Sequence, residues 1–189
     1  MIARLLGKLL QGRHAGDRHL LWNDIPIDPG EAMLGLSSDA FEDGASIPRR
    51  CAGKGVGDNA SPQLSWTQVP EDAAELILVV EDPDAPLRRP FVHLIAAGIP
   101  ASTAGIAEGM LCAGNASSLF VLGLTTFHKA GYSGPRPLPG HGAHRYVFQL
   151  FALNQQSTIE SGTTRDQLVS ALVGKIIARG RLEGYFEQK

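Results

Sequence analysis

Four stretches of this chain carry the short, mostly apolar runs of buried β-strands: "ELILVVE" (75–81), "FVHLIAAGI" (91–99), "SLFVLGLTTF" (118–127) and "RYVFQLFAL" (145–153). Their length and their content of β-branched and aromatic residues favour strand over helix. In the last, Tyr146, Phe148, Leu150 and Ala152 fall on one face and Val147, Gln149, Phe151 and Leu153 on the other. Both faces are mainly apolar, which predicts a strand covered on two sides. "EAMLGLSSDAF" (31–41) runs into a turn at Glu42-Asp43-Gly44, and "GKGVGDNASPQLSW" (53–66) reads as a long loop. Helical periodicity appears only near the two ends. Ile2, Leu5, Leu6, Leu9 and Leu10 recur at helical spacing with Arg4, Lys8 and Gln11 opposite. Near the C-terminus Thr164 and Gln167 form a possible capping box. Leu168, Val169, Leu172, Val173, Ile176 and Ile177 follow at helical spacing, with Gly180 as the stop. Lys175, Arg179 and Arg181 then sit where a helix dipole favours cations. The pattern predicts a mainly β protein of packed sheets with a helix towards each end, and no βαβ alternation.

Length places the chain at one domain, or one domain with an extension: an N-terminal amphipathic arm over 1–30 and a body over 31–189. The apolar fraction of 43% and charged fraction of 19% fit a globular protein. A formal net charge of −2 gives no global attraction to nucleic acid or to a membrane. Cys51 and Cys112 do not make a disulfide framework and are expected as free thiols; no Cys/His spacing suggests zinc. No run is long enough for a transmembrane helix. Charges interrupt the apolar run of "MIARLLGKLLQGRHAG", unlike a signal peptide. The arm is therefore expected to pack on the body or on a second copy, giving a homodimer, in preference to membrane contact through 1–13. The expected compartment is the cytoplasm.

The candidate chemistry starts at "LILVVEDPDAP" (76–86). In an extended chain Asp82 and Asp84 share a face, about 6 to 7 Å apart by the strand rise. Pro83 and Pro86 restrict the residues before them to extended conformations. Such carboxylates suit a cation or an imidazole, or else cap amides in a turn. His93 sits inside an apolar strand, where a core histidine is the alternative to a ligand. From Gly131 to Gly142 the chain is nearly all Gly, Pro and Ser, a composition that can present backbone N–H groups to an anion. His144 stands where that loop enters a strand and shares a face with Tyr146, while His141 is expected to be solvated. There is no nucleophile elbow and no dinucleotide fingerprint.

The ordered set "NASPQLSW..VP", "DPDAP", a following "VH" strand and "GYSGPRPLPGHGAHRY.F.L.AL" resembles the phosphatidylethanolamine-binding protein family, and "PGHGAHRY" is similar to its bacterial Raf-kinase-inhibitor-like branch. "DAFEDGASIP" also resembles the family's first strand and turn. The resemblance spans roughly 34–155. It implies a β-sandwich with a small preformed anion pocket at one end. Asp82, Asp84, His93, His144 and Tyr146 would line the pocket, and Pro86, Gly134 and Pro135 would shape its rim. The family often has a cis peptide at the position of Ala85-Pro86. Phe91 and Leu94 stand where the family commonly has tryptophans.

Two carboxylates would repel a bare anion. They can instead hold His93 or His144 protonated against phosphate, or meet the ammonium of a zwitterion such as phosphoethanolamine. The function expected is binding of a small anionic or phosphorylated ligand, with regulation of a protein partner such as a kinase as a possible output. The alternative is an enzyme using the same Asp and His side chains as general acid and base for cyclisation, proton transfer or hydrolysis. A two-Asp, two-His metal site is a third reading. No cofactor, metal or nucleic-acid partner is expected.

Overall fold

The computed structural model describes residues 2–114 and 120–188. Among these residues ten strands form two sheets. In chain order they are β1 (Ala32–Met33), β2 (Gly35–Ser37), β3 (Ala45–Ser46), β4 (Leu64–Thr67), β5 (Glu75–Asp82), β6 (Phe91–Pro100), β7 (Gly105–Ile106), β8 (Val121–Leu122), β9 (His144–Leu153) and β10 (Ile176–Phe186). The larger sheet runs β1-β10-β9-β5-β6-β8, with β3 also on β10, and the smaller runs β2-β4-β7. The described residues also form three α-helices: α1 (Ile2–Leu9), α2 (Leu21–Asp24) and α3 (Arg165–Leu172).

The alternation in "RYVFQLFAL" places its two faces in two cores. Tyr146, Phe148, Leu150 and Ala152 join Leu76, Leu78, Val80 and Leu94 against Leu64, Trp66 and Ile106 of the smaller sheet, the interior of the sandwich. Phe151 and Leu153 join Ile77, Val79, Val92 and Ile95 on the outer face, which Leu21, Ile25, Leu168 and Leu172 cover. All eight residues of β5 are buried, as expected of a strand with neighbours on both edges and a layer on each face. Each large aliphatic side chain so buried contributes about 1.5–3 kcal/mol.

The C-terminal helix is present but shorter than its apolar periodicity predicts. Gln167 Oε1 accepts the Thr164 N–H at 2.9 Å, as a capping box requires, and the helix ends at Leu172. Gly174 turns the chain at φ 70°, and Ile176 onward forms β10 on the edge of β9. The free backbone groups of β9 take that pairing, and β-branched Ile176 and Ile177 suit it. Gly180 is therefore not a helix stop: it lies within β10, where a Cβ would press into the Leu34 carbonyl. Arg179 is not a helix-end cation either. It is 2% exposed and reaches Glu31 with Nη2–Oε1 at 2.8 Å, between the rings of Trp22 and Phe151.

Of the strand predicted over 118–127, Ser118 and Leu119 lie outside the described residues, and only Val121–Leu122 forms a ladder. Beyond it, the Gly123 and Thr126 amides still bond to the β6 carbonyls of Ile95 and Val92. Cys51 and Cys112 are free thiols, and burial pushes Cys51 up to about 11. Among the described residues no helix is long and apolar enough to cross a membrane.

Candidate functional site

His93 reaches the site because β6 is irregular. The pairing with β5 steps from Val80–Leu94 to Glu81–Val92, which makes His93 the extra residue of a β-bulge. A bulge re-aims one side chain relative to strict alternation. His93 is turned to the face of Asp82, with Nε2 4.0 Å from Asp82 Oδ2, and its ring meets Tyr146 edge-on at 5.0 Å. Its Nδ1–H donates to the Ser133 carbonyl, whereas Nε2 has no hydrogen-bond partner among the described residues. Burial pushes this imidazole below its ordinary range, against the opposing pull of Asp82. The ring is thus neutral, with its lone pair on Nε2. Tyr146 Oη is likewise buried and makes no well-formed hydrogen bond among the described residues; burial, then Asp82, raises its pKa well above the ordinary value, against the opposing pull of the Arg136 backbone.

Asp82 ends β5 and divides its two oxygens. Oδ1 accepts the Asp84 and Ala85 amides at 2.8 and 2.9 Å, forming the turn. Oδ2 lies 2.7 Å from His144 Nδ1 at the start of β9. His144 Nε2 is in turn 2.7 Å from His141 Nδ1, and His141 Nε2 donates to the Leu10 carbonyl at 2.9 Å. His141 is therefore 6% exposed and not solvated as expected. The arm covers it, and His14 packs edge-on against its ring at 5.6 Å. Burial, then the neighbouring His144, lowers its pKa.

Asp84 does not join this cluster. Its Oδ2 accepts the Arg145 backbone N–H and Nε–H at 2.8 and 2.9 Å, and its Oδ1 accepts from Arg145 Nη2 at 2.8 Å. Burial alone would raise the Asp84 carboxyl, but the Arg145 bonds outweigh it and hold the pKa low. Arg145 also grips Asp17, through Nη1 at 3.1 Å and Nη2 at 2.8 Å. Alternation from His144 and Tyr146 puts Arg145 on the other side of β9, the available signal for this role.

The rim residues are placed as follows. Gly134 sits where a Cβ would collide with the Cys51 carbonyl, and its N–H donates to Asn59 Oδ1 at 2.8 Å, so it is not a free anion donor. The Pro135 carbonyl accepts the Gly53 amide at 2.9 Å. Pro86 lines an open cleft with Gly12, Arg13, His14, Leu87 and Arg88. The Ala85–Pro86 peptide is trans, as are all others among the described residues, and does not take the cis form that the family often has there. Leu94 is wholly buried in the sandwich and no part of a pocket wall. Phe91 lies 4.6 Å from the His93 ring, with Phe127, 67% exposed, 4.8 Å beyond it. Phe127 was not legible as a site neighbour because the turn after β8 brings it there.

The structure thus brings Asp82, His93, His144 and Tyr146 together. Both nitrogens of His144 and one of His93 are already engaged, which leaves no converging donor set for a cation. Among the described residues no three His, Cys, Asp or Glu side chains are placed to hold a metal. What remains is a carboxylate beside a lone pair and a hydroxyl, a surface suited to a ligand that donates a proton.

The family model described as phosphatidylethanolamine-binding protein matches residues 37–187. The UPF0098 protein of Chlamydia trachomatis is 38% identical over 157 residues, covering 81% of this chain and 98% of its own length. That of Aquifex aeolicus is 33% identical over 172 residues, covering 89% and 97%. A solved phosphatidylethanolamine-binding protein homolog from Chlamydia trachomatis matches with a TM-score of 0.74 at 34% identity, over 84% of this chain and 100% of that one. Escherichia coli YbcL matches with a TM-score of 0.78 at 26% identity, with the same coverage. With the motif order realised in a two-sheet sandwich and the matched span covering most of the chain, this protein belongs to the phosphatidylethanolamine-binding protein family.

Proposed function

We propose that the chain binds a small phosphorylated ligand that carries its own proton donor, of the phosphoethanolamine type. Asp82, His93, His144 and Tyr146 would form the floor and Pro86, Gly134 and Pro135 the rim. The observation that supports this is the pair of buried atoms with no well-formed hydrogen bond among the described residues, His93 Nε2 and Tyr146 Oη, beside Asp82. Buried polar atoms are nearly always partnered, and an orphan pair facing one carboxylate calls for a ligand. A bare phosphate would meet a lone pair and a negative charge. An ammonium, or the hydroxyl of a singly protonated phosphate, would meet an acceptor. The geometry gives no separate reason for a protein partner.

Calorimetry with phosphoethanolamine, ethanolamine and inorganic phosphate tests this reading. Phosphoethanolamine should bind most tightly, and His93→Gln and Tyr146→Phe should each weaken it about five- to tenfold, the worth of one hydrogen bond. Unchanged affinity in both folded variants would remove the site. The free His93 nitrogen also keeps the enzyme alternative open, as a base. Turnover of the bound ligand, lost in His93→Gln, would favour it.

A further inference from the structure

We infer that α1 is a docking surface for an anionic lipid bilayer. Ile2, Leu5, Leu6 and Leu9 are 84%, 71%, 45% and 77% exposed, and their spacing gathers them on one face. They are four of the nine large apolar side chains exposed among the described residues, a patch and not the usual scatter. The arm packs on the body as expected, but through its opposite side. Gly7 lies so close to the Pro139 carbonyl and the His141 amide that any Cβ would collide with them. Gln11 Nε2 donates to the Gly140 carbonyl at 2.8 Å, and the Leu10 carbonyl accepts from His141. These contacts hold the leucines outward, so the helix need not be ordered at the moment of binding.

Charge selects the occupant. Arg4 and Lys8 lie on α1 opposite the stripe, with their side chains beside Gly140, and Arg13 follows the helix; no acid occurs before Asp17, and none of the three has an ion-pair partner among the described residues. The arm is basic although the whole chain carries −2. An apolar helix face on a segment that carries three cations and no acid fits the headgroup region of an anionic leaflet. A second copy fits poorly, since it would bring like charges together. One face of this eight-residue helix, about 12 Å long and about 10 Å across, also falls far short of the roughly 800 Å² per partner of a stable dimer. The helix precedes the family-matched span of 37–187, so this surface is additional to the sandwich and its site.

The test is co-sedimentation of the full chain with phosphatidylcholine vesicles, with and without phosphatidylglycerol. Omitting phosphatidylethanolamine separates this surface from the proposed headgroup site. Binding should require phosphatidylglycerol, weaken with added salt, and fall at least about tenfold in the Leu5→Asp/Leu9→Asp variant. Both positions are exposed, so the variant should melt like the parent, and Lys8→Gln, which leaves the stripe intact, should show a smaller loss. Three outcomes would overturn the inference: no binding to phosphatidylglycerol vesicles, equal binding by the Leu5→Asp/Leu9→Asp variant, or a parent chain that sediments as a dimer which that variant dissociates.

Discussion

His144 Nε2 lies 2.7 Å from His141 Nδ1, so two imidazoles connect the Asp82 carboxylate to the backbone of the N-terminal arm. The chain has three links, Asp82–His144, His144–His141 and His141–Leu10.

His141 is accordingly the joint between arm and site. His141→Ala deletes both of its bonds and leaves the packing of Gly7 on Pro139. Losing such bonds costs about 1–3 kcal/mol of local stability, which corresponds to roughly 5- to 150-fold more frequent opening of the arm. Amide exchange over residues 8–16 should accelerate by that order, while β5 and β9 stay protected. An unchanged arm would mean that Gly7 and Gln11 alone hold it.

Protonation of His93 runs against folding. Its folded pKa lies below the ordinary value of about 6.5 because burial penalises the charged ring. Below that pH the unfolded chain takes up a proton that the folded one refuses, so stability falls as pH drops from neutral towards 5.5. His141, lowered in the same direction, adds to the slope. Urea unfolding at pH 7.5 and 5.5 should show a smaller loss in His93→Gln, whose amide can still donate to Ser133. Equal losses in parent and variant would contradict a buried neutral ring.

The same lone pair gives ligand binding a pH sign. Inorganic phosphate meets His93 through a hydroxyl of its own or, once the ring gains a proton, through a bare oxygen, so on either route phosphate affinity should rise as pH falls. Calorimetry in buffers of different ionisation enthalpy should detect the proton taken up. A ligand that brings an ammonium needs no such proton, and its affinity should change less. Identical pH profiles for phosphate and phosphoethanolamine would count against His93 Nε2 as the contact.

Which parts of this architecture were legible from the chain follows from how local each determinant is. The two-faced burial of β9 and the meeting of Asp82 with His144 rest on strand period and motif order, both local or repeated signals. The face of His93 rests on a one-residue slip between β5 and β6, which alternation cannot reveal. The burial of His141 depends on a helix some 130 residues earlier folding over it. Ile176 and Ile177 satisfy helical spacing and strand preference equally, and the open edge of β9 decides between them. Asp82 and Asp84 share a strand face in sequence, but the turn that Asp82 Oδ1 builds separates them, and Arg145 captures Asp84.

That capture sets a final test, which separates structural from ligand-binding carboxylates. Arg145 satisfies both oxygens of Asp84 and ties Asp17 to the same guanidinium. Arg145→Met would leave the Asp84 carboxylate buried with only the Arg145 backbone amide and the more distant His14, 3.9 Å away. The expected cost is about 1–3 kcal/mol, below the figure for a fully buried pair because the Arg145 side chain is 25% exposed. The sign with pH follows from the lowered Asp84 pKa: the contribution is present above about pH 4 and is lost as pH falls through the folded value. Acid unfolding of the parent should therefore begin at a lower pH with Arg145 in place than in Arg145→Met. Phosphoethanolamine affinity at neutral pH should be the same in both proteins, because Asp84 stands outside the Asp82–His93–Tyr146 group. A variant that stays folded at neutral pH but loses binding more than about tenfold would return Asp84 to the site.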